Sequence, residues 1–344
     1  MSAVDKLPTL DDVAKHAGVS TATVSRCLNS PAAVSEKTRE KVMGAVDTLG
    51  YTPHFGARIM AAKRTFTIGA IIPTMENAIF ARGVQAFQEQ LHDQGYKLLV
   101  ASNFYRPDVE EEQIRSLVAR GAEGLLLIGH ERDQGIYEYL RRRGVPAIAA
   151  WTFKSGGQVP SVGFDNRRAM RLLTEQVLAK GHRSIGVISG VVEGNDRASE
   201  RLQGIKDALT DAGLDPDSLD VIEATYEIEN GAAAFSKLLS SSPSCTAVMC
   251  GNDVLAVGAL ARAREMGLRV PDDVSITGFD DIELARIAAP PLTTVHVPHR
   301  NMGRSAAMSL VRMIEQPKFN HDVELQVELR IRETLGVAPT EYGD

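Results

Sequence analysis

The sequence predicts an α/β protein in two parts: a small three-helix head and a larger body of parallel sheets flanked by helices. Three observations carry this. Hydrophobic residues make up 44% of the 344 and aromatics only 5%, which favours α/β over an all-β sandwich. From Thr67 onward, short apolar runs alternate with amphipathic stretches, as in parallel sheets covered on both faces. The first fifty residues show only helical periodicity, and the length exceeds one small domain.

The head is explained element by element. Thr9 can cap a helix with Asp12 as the return arm of a capping box, and Leu10, Val13, Ala14 and Ala17 then share one face. Gly18 supplies a left-handed turn, and Ser20 can cap a second helix. In that helix Val24, Cys27 and Leu28 face inward, leaving Thr21, Ala22, Ser25 and Arg26 outward. A third helix begins at Ser35, runs through Val42, Val46 and Leu49, and ends at Gly50. Two helices at a tight turn with a short, polar, acid-free outer face suit a helix-turn-helix, whose second helix shows side chains to base edges in the major groove.

After Pro53, the stretch "HFGARIMAAKR" (54–64) places Ala57, Met60 and Ala61 on one helical face beside Arg58, Lys63 and Arg64. It is too short to be stable as an isolated helix. In the body, "TIGAIIP", "YKLLVAS", "AEGLLLIG", "VPAIAAW", "SVGFDN", "RSIGVIS", "CTAVMCG" and "VSITGFDD" read as strands, with helices such as "FARGVQAFQEQLHDQG", "EEEQIRSLVARG" and "DVLAVGALARAREMG" between them. So many elements suit two lobes better than one. Ligands of such sheets bind beyond the carboxyl ends of strands, which selects Asn77, His130, Trp151, Asp165, Asn252 and Asp280.

Charge divides along the same line. Residues 1–64 carry nine Lys/Arg against six Asp/Glu, and the remainder 29 against 38, for a net −6. A basic head on an acidic body fits an anion-binding module attached to a larger globule. The three cysteines, Cys27, Cys245 and Cys250, match no zinc or redox spacing and are expected as buried thiols in a reducing compartment. There is no targeting segment or membrane span in the pattern, so an intracellular, cytoplasmic protein is expected. Neither GxxxxGK[ST], HExxH nor GxSxG occurs. Catalysis, metal and cofactor are not expected, and an enzyme carrying a DNA-binding head is the remote alternative.

"TLDDVAKHAGVSTATVSRCLN" followed by "VSEKTREKVMGAVDTLGYTPH" resembles the head of the lac repressor family of bacterial transcription regulators, and the resemblance extends over almost the whole chain. It implies a DNA-binding domain at 1–53, a hinge helix at 54–65 and an effector-binding, dimerising body at 66–344, similar to periplasmic sugar-binding proteins. The first lobe would comprise 66–161 plus 292–322 and the second 163–290 plus 323–337, with crossings near 162, 291 and 323.

Carried over by position, Thr21 and Ala22 would select the operator and Arg26 would contact a base or phosphate. Thr9, Ser20, Thr23, Ser25 and Asn29 would contact phosphates or cap. Met60 would wedge into the minor groove beside its dimer mate, where the family usually has Leu. Arg201, Asn252, Asp280, Tyr226, Asn77 and Phe80 would contact the effector, with Asp253 as a structural neighbour. Where sugar-binding relatives often carry an acid, this chain has Trp151, its only tryptophan. An indole offers a stacking face and a donor but no acceptor. With local similarity to gluconate-type repressors in "FYRPD" and "VGFDN", this favours a sugar acid, lactone or ring compound. The expectation is therefore a dimeric repressor of a carbohydrate or sugar-acid operon on a palindromic operator. A purine- or nucleoside-responsive regulator is the alternative.

Overall fold

The structure, a computed structural model, describes residues 7–29, 33–52, 64–76 and 78–339. The chain divides into two compact units, Met1–Thr65 and Phe66–Asp344.

In the first unit three helices, α1 (Leu10–Ala17), α2 (Thr21–Asn29) and α3 (Glu36–Leu49), enclose a small core. The capping box forms: the Asp12 N–H donates to the Thr9 hydroxyl at 3.3 Å, and the Thr9 N–H donates to Asp12 Oδ2 at 2.9 Å. Gly18 ends α1 in the left-handed region at φ 68°, so the chain reverses at little steric cost. The Thr23 N–H then donates to the Ser20 hydroxyl at 3.2 Å and starts α2. Val13, Val24, Cys27, Val42 and Ala45 are buried between the helices. The Ser35 hydroxyl bonds to that of Thr38 rather than to the α3 backbone. The proposed hinge, Met60 included, lies outside the described residues, except for Arg64 and Thr65.

The second unit contains two parallel sheets. The first takes strands β1 (Thr67–Ile72), β2 (Lys97–Ser102), β3 (Gly124–Ile128), β4 (Ala147–Ala150), β5 (Ser161–Gly163) and β11 (Val323–Glu324) in the order β11-β5-β4-β3-β1-β2. The second takes β6 (Ile185–Gly190), β7 (Asp220–Ala224), β8 (Ala247–Cys250) and β9 (Ser275–Thr277) in the order β7-β6-β8-β9. An antiparallel pair, β10 (Thr294–His296) with β12 (Glu328–Arg330), continues from the second sheet through bridges at Thr277–Thr293 and Asp280–His296. β1, β3, β4, β6 and β8 are buried throughout, which is why they read as unbroken apolar runs. The chain leaves the first sheet after Gly163, returns between His296 and His299, and leaves again after Glu324. The return falls later than the expected 291 because β10 bonds to the second sheet. The final exit falls just beyond the expected 323 because Val323 and Glu324 pair with β5.

On the first sheet, helices α4 (Ala78–Asp93) and α12 (His299–Glu315) pack on one face, and α5 (Pro107–Ala119) and α6 (Gln134–Arg143) on the other. In the second lobe α7 (Asn166–Ala179) packs on α8 (Asp196–Asp211), and α9 (Ile228–Ser241) on α10 (Asp253–Glu265). A short α11 (Glu283–Ile287) follows β9. Where α4 crosses α12, the backbones touch: a Cβ on Gly303 would run into the Gly83 carbonyl and lie 3.0 Å from the Phe87 nitrogen. Beside this lobe's site end, Arg132 and Glu110 form a buried ion pair at 3.2 Å, and Arg132 also donates to the Gly129 carbonyl and the Tyr137 hydroxyl. Cys27, Cys245 and Cys250 are all free and buried. Among the described residues no helix is long and apolar enough to cross a membrane.

Gly303→Ala must push α12 off α4. It should cost about 1–3 kcal/mol, the usual range for overpacking, and appear as a lower urea midpoint at unchanged slope. An unaltered midpoint would show that the two helices separate freely.

Candidate functional site

The carboxyl ends of the two sheets meet, as the topology of open α/β sheets favours. Several contacts join them, among them the following three. The Tyr105 ring, after β2, lies 5.6 Å from the Tyr226 ring, after β7. The His130 N–H, after β3, donates to Asp196 Oδ2 at 2.6 Å. Arg82 on α4 pairs with Glu283 at 2.5 Å.

At the centre are Arg201 and Asp280. Arg201 projects from α8, where its Nε donates to Asn166 Oδ1 at 2.8 Å and its Nη1 to the Gly251 carbonyl at 2.7 Å. Its guanidinium carbon sits 3.7 Å above the Phe279 ring, which stacks on Phe164 at 5.9 Å. The guanidinium is thus clamped on two edges and one face. Asp280 follows β9 and has no exposed surface. Its nearest cation is Arg201 Nη2 at 3.7 Å, and among the described residues neither carboxylate oxygen has a hydrogen-bond partner. Its backbone is left-handed at φ 106°, unusual for a residue other than glycine. Such a local cost persists only where surrounding contacts hold it.

Asn252 is also fully buried. Its Oδ1 accepts from the Leu255 N–H at 2.9 Å and caps α10, while its Nδ2 has no partner among the described residues. The side chain thus caps the helix with its oxygen and leaves its nitrogen available. Asp253 braces the loops: it accepts from the Thr294 hydroxyl at 2.6 Å and from the Ile282 N–H at 2.8 Å. Tyr226 is half-buried, and its hydroxyl accepts from Asn195 Nδ2 at 3.3 Å.

Electrostatics follow from burial. Burial raises the Asp280 carboxyl to about 6, against the opposing pull of Arg201 and Arg197. Burial likewise raises Asp253, with the Asp280 charge adding to it. His299 is lowered to about 4 by burial, only partly opposed by its bond to the Asp280 carbonyl. Burial also lowers His130 to about 4. Both imidazoles are neutral at pH 7.

The structure gives two expected residues different tasks. The Trp151 indole is 1% exposed, its N–H donates to His299 Nδ1 at 3.2 Å, and its ring fills the space over Gly83. Neither donor nor face is presented to a ligand, so Trp151 is corrected from ligand wall to internal support. The preference for a sugar acid loses the residue on which it rested. Phe80 is 4% exposed and packs edge-on against Trp151 at 5.4 Å, rather than offering a free face. Asn77 lies outside the described residues. Asp165 caps α7 through the Arg168 N–H at 2.9 Å. Among the described residues no group of His, Cys, Asp and Glu could hold a metal ion.

Sequence reading missed Tyr105, Asn166, Phe279 and His299. The first two stand at strand ends inside quoted segments, "FYRPD" and "VGFDN", and the strand-end rule reaches both. His299 opens a helix after a crossing of the chain and carries no local signal.

On the head, Thr21, Ala22 and Arg26 form the exposed face of α2, with Thr23 and Ser25 half-buried beside them. Thr9 and Ser20 serve as caps. The side chain of Asn29 lies outside the described residues.

Residues 9–54 match the family model "Bacterial regulatory proteins, lacI family", and residues 65–336 match "Periplasmic binding proteins and sugar binding domain of LacI family". The HTH-type transcriptional repressor PurR of Vibrio vulnificus (strain CMCP6) is 32% identical over 331 residues, covering 96% of this chain and 99% of that protein. Among solved structures, the lac repressor dimer bound to operator and the anti-inducer ONPF superposes with a TM-score of 0.85 at 28% identity, covering 96% of this chain and 100% of the other. The transcriptional regulator CelR in complex with cellobiose superposes at 0.71 and 32% identity, covering 95% and 99%. The chain belongs to the lacI family of bacterial regulatory proteins. It is a ligand-responsive, DNA-binding transcriptional repressor and not an enzyme.

Because the folded Asp280 carboxyl titrates near 6 against an ordinary 3.8, its charge opposes folding above pH 6, and the cost disappears as pH falls toward 4. Asp280→Asn should therefore raise the melting temperature at pH 8, with the gain shrinking between pH 6 and pH 4. An equal gain at both ends would mean the carboxyl is not held in its charged form at cost.

Proposed function

We propose that this repressor binds a palindromic operator in the cytoplasm as a C2 dimer and releases or tightens its grip when a small polyhydroxylated compound, a sugar or sugar acid, enters the cleft of the body. Arg201, Asp280, Asn252 and Tyr226 are its contacts, with Asn77 on the first-lobe side. The carrying observation is the buried Asp280 carboxylate without a hydrogen-bond partner among the described residues, with Asn252 Nδ2 buried in the same condition. Buried polar groups are almost always paired. A vicinal pair of hydroxyls satisfies both, donating to the carboxylate and accepting from the amide and Arg201 Nη2. A purely apolar ligand would leave all of them unpaired. CelR binds cellobiose, in keeping with such a ligand.

On the DNA side, Arg26 reads a base edge and Thr21 and Ala22 flank it, while Thr9, Ser20, Thr23, Ser25 and Asn29 fix register on phosphates. Met60 is the wedge between the paired hinges. The short side chains at 21 and 22 place most direct readout on Arg26.

A melting screen against sugars, sugar acids, nucleosides and purines tests the effector. A ligand at a hundred times its Kd adds about 2.7 kcal/mol to stability. A hit should be lost in Asp280→Ala while operator affinity is retained; a retained hit would remove Asp280 from the site. For the head, Arg26→Ala should lose about 1–3 kcal/mol of discrimination at one base pair. An unchanged ratio of specific to nonspecific binding would exclude Arg26 from base readout.

A further inference from the structure

Arg201 and Asp280 stand in the second lobe, yet each is held through a single intermediate by the same residue of the first. The Trp151 carbonyl accepts from Asn166 Nδ2 at 3.0 Å, and Asn166 Oδ1 in turn accepts from Arg201 Nε at 2.8 Å. On its other side, the Trp151 indole N–H donates to His299 Nδ1 at 3.2 Å, and His299 Nε2 meets the Asp280 carbonyl at 3.2 Å. An indole only donates, so Nδ1 accepts and the imidazole proton sits on Nε2, aimed at that carbonyl. Trp151 is itself left-handed at φ 62°, and its ring is wedged between Phe80 and the open side of Gly83. The strained Asp280 backbone is therefore held by a donor from a residue that is itself locked by packing.

We propose that Trp151 and His299 are positioning residues of the effector site: Trp151 is the common anchor that holds Arg201 and Asp280 in register across the two lobes, and His299 transmits the state of Asp280 to the indole. The inference rests on the assignment of Arg201 and Asp280 as effector contacts. It adds that whatever displaces or charges that pair must act on Trp151, because both hydrogen-bonded paths end there. An effector inserted between the two side chains then acts on the first lobe through two tethers.

Trp151 is the only tryptophan in the chain, so its emission reads the anchor without any ligand. The groups facing Asp280 are Arg197 and Arg201 on α8, Asp253 on α10, Tyr105 after β2 and His299 on α12. Emission of the full chain is followed from pH 8 to pH 5, with circular dichroism confirming that each variant is folded. The wild type should show a step near pH 6. Asp280→Asn should abolish it and Glu283→Gln, which breaks a different cross-lobe contact, should keep it. His299→Phe should lose the step. His299→Gln, with an acceptor and a donor on one amide, should restore it. A step that survives Asp280→Asn, or that is the same in His299→Phe as in the wild type, would overturn the relay. If the step behaves as expected while Asp280→Ala keeps its melting response to the sugar or sugar acid found in the screen, the effector assignment fails and the anchor stands.

Discussion

A carboxylate buried without hydrogen bonds is costly, and Asp280 is tolerable only because a fixed guanidinium stands beside it. Much of the surrounding architecture serves that pair. Asn166 and the Gly251 carbonyl hold the guanidinium from two edges, Phe279 supports its face, and Phe164 supports Phe279. Asp253 ties the loop after β9 to Thr294, so the backbone bearing Asp280 cannot relax. At 3.7 Å the two charges attract without closing a hydrogen bond. That gap leaves acceptor capacity on the carboxylate and donor capacity on the guanidinium, both already desolvated. A ligand entering it does not have to pay again for stripping water from either group.

The same geometry explains how a small molecule can bear on a DNA-binding protein. A ligand shifts a conformational balance only by the difference in its affinity for the two states. Here the unpaired atoms of Asp280 and Asn252 stand in the second lobe, while Phe80, Trp151 and His299 belong to the first. Any rotation of one lobe against the other changes how well the two sets fit a common ligand. Nonpolar walls alone would discriminate weakly between such states; unpaired buried polar groups discriminate strongly, because each state that leaves them unmatched carries the full desolvation cost.

Legibility in the sequence tracked how local the cause was. The capping box, the left-handed Gly18 and the outward face of α2 depend on neighbours within four residues, and all were readable. The buried strands were readable because two covered faces force continuous apolar runs. β7, half-exposed, and the short β10, β11 and β12 lack that pattern and were not identified. In the site, the strand ends pointed to Asn252 and Asp280 and the resemblance to Arg201, and the structure brings Arg201 beside Asp280; the surroundings of Trp151 were not readable. Composition tells that an indole can donate and stack; only tertiary packing decides that His299 takes the donor and Gly83 receives the ring. His299 was invisible for the same reason, since its partners lie 148 and 19 residues away.

The three passages of the chain between the sheets have a mechanical consequence. A single linker would let the lobes tumble independently, and each added strand between them removes freedom. Three side-by-side connections, after Gly163, between His296 and His299, and after Glu324, leave one soft coordinate, opening and closing about the line they define. The helices cannot absorb that motion, because α4 and α12 touch backbone to backbone at Gly83 and Gly303. Were the lobes to turn about that line, a shift of a fraction of an ångström at Asp280 would become a larger displacement at the lobe's far edge.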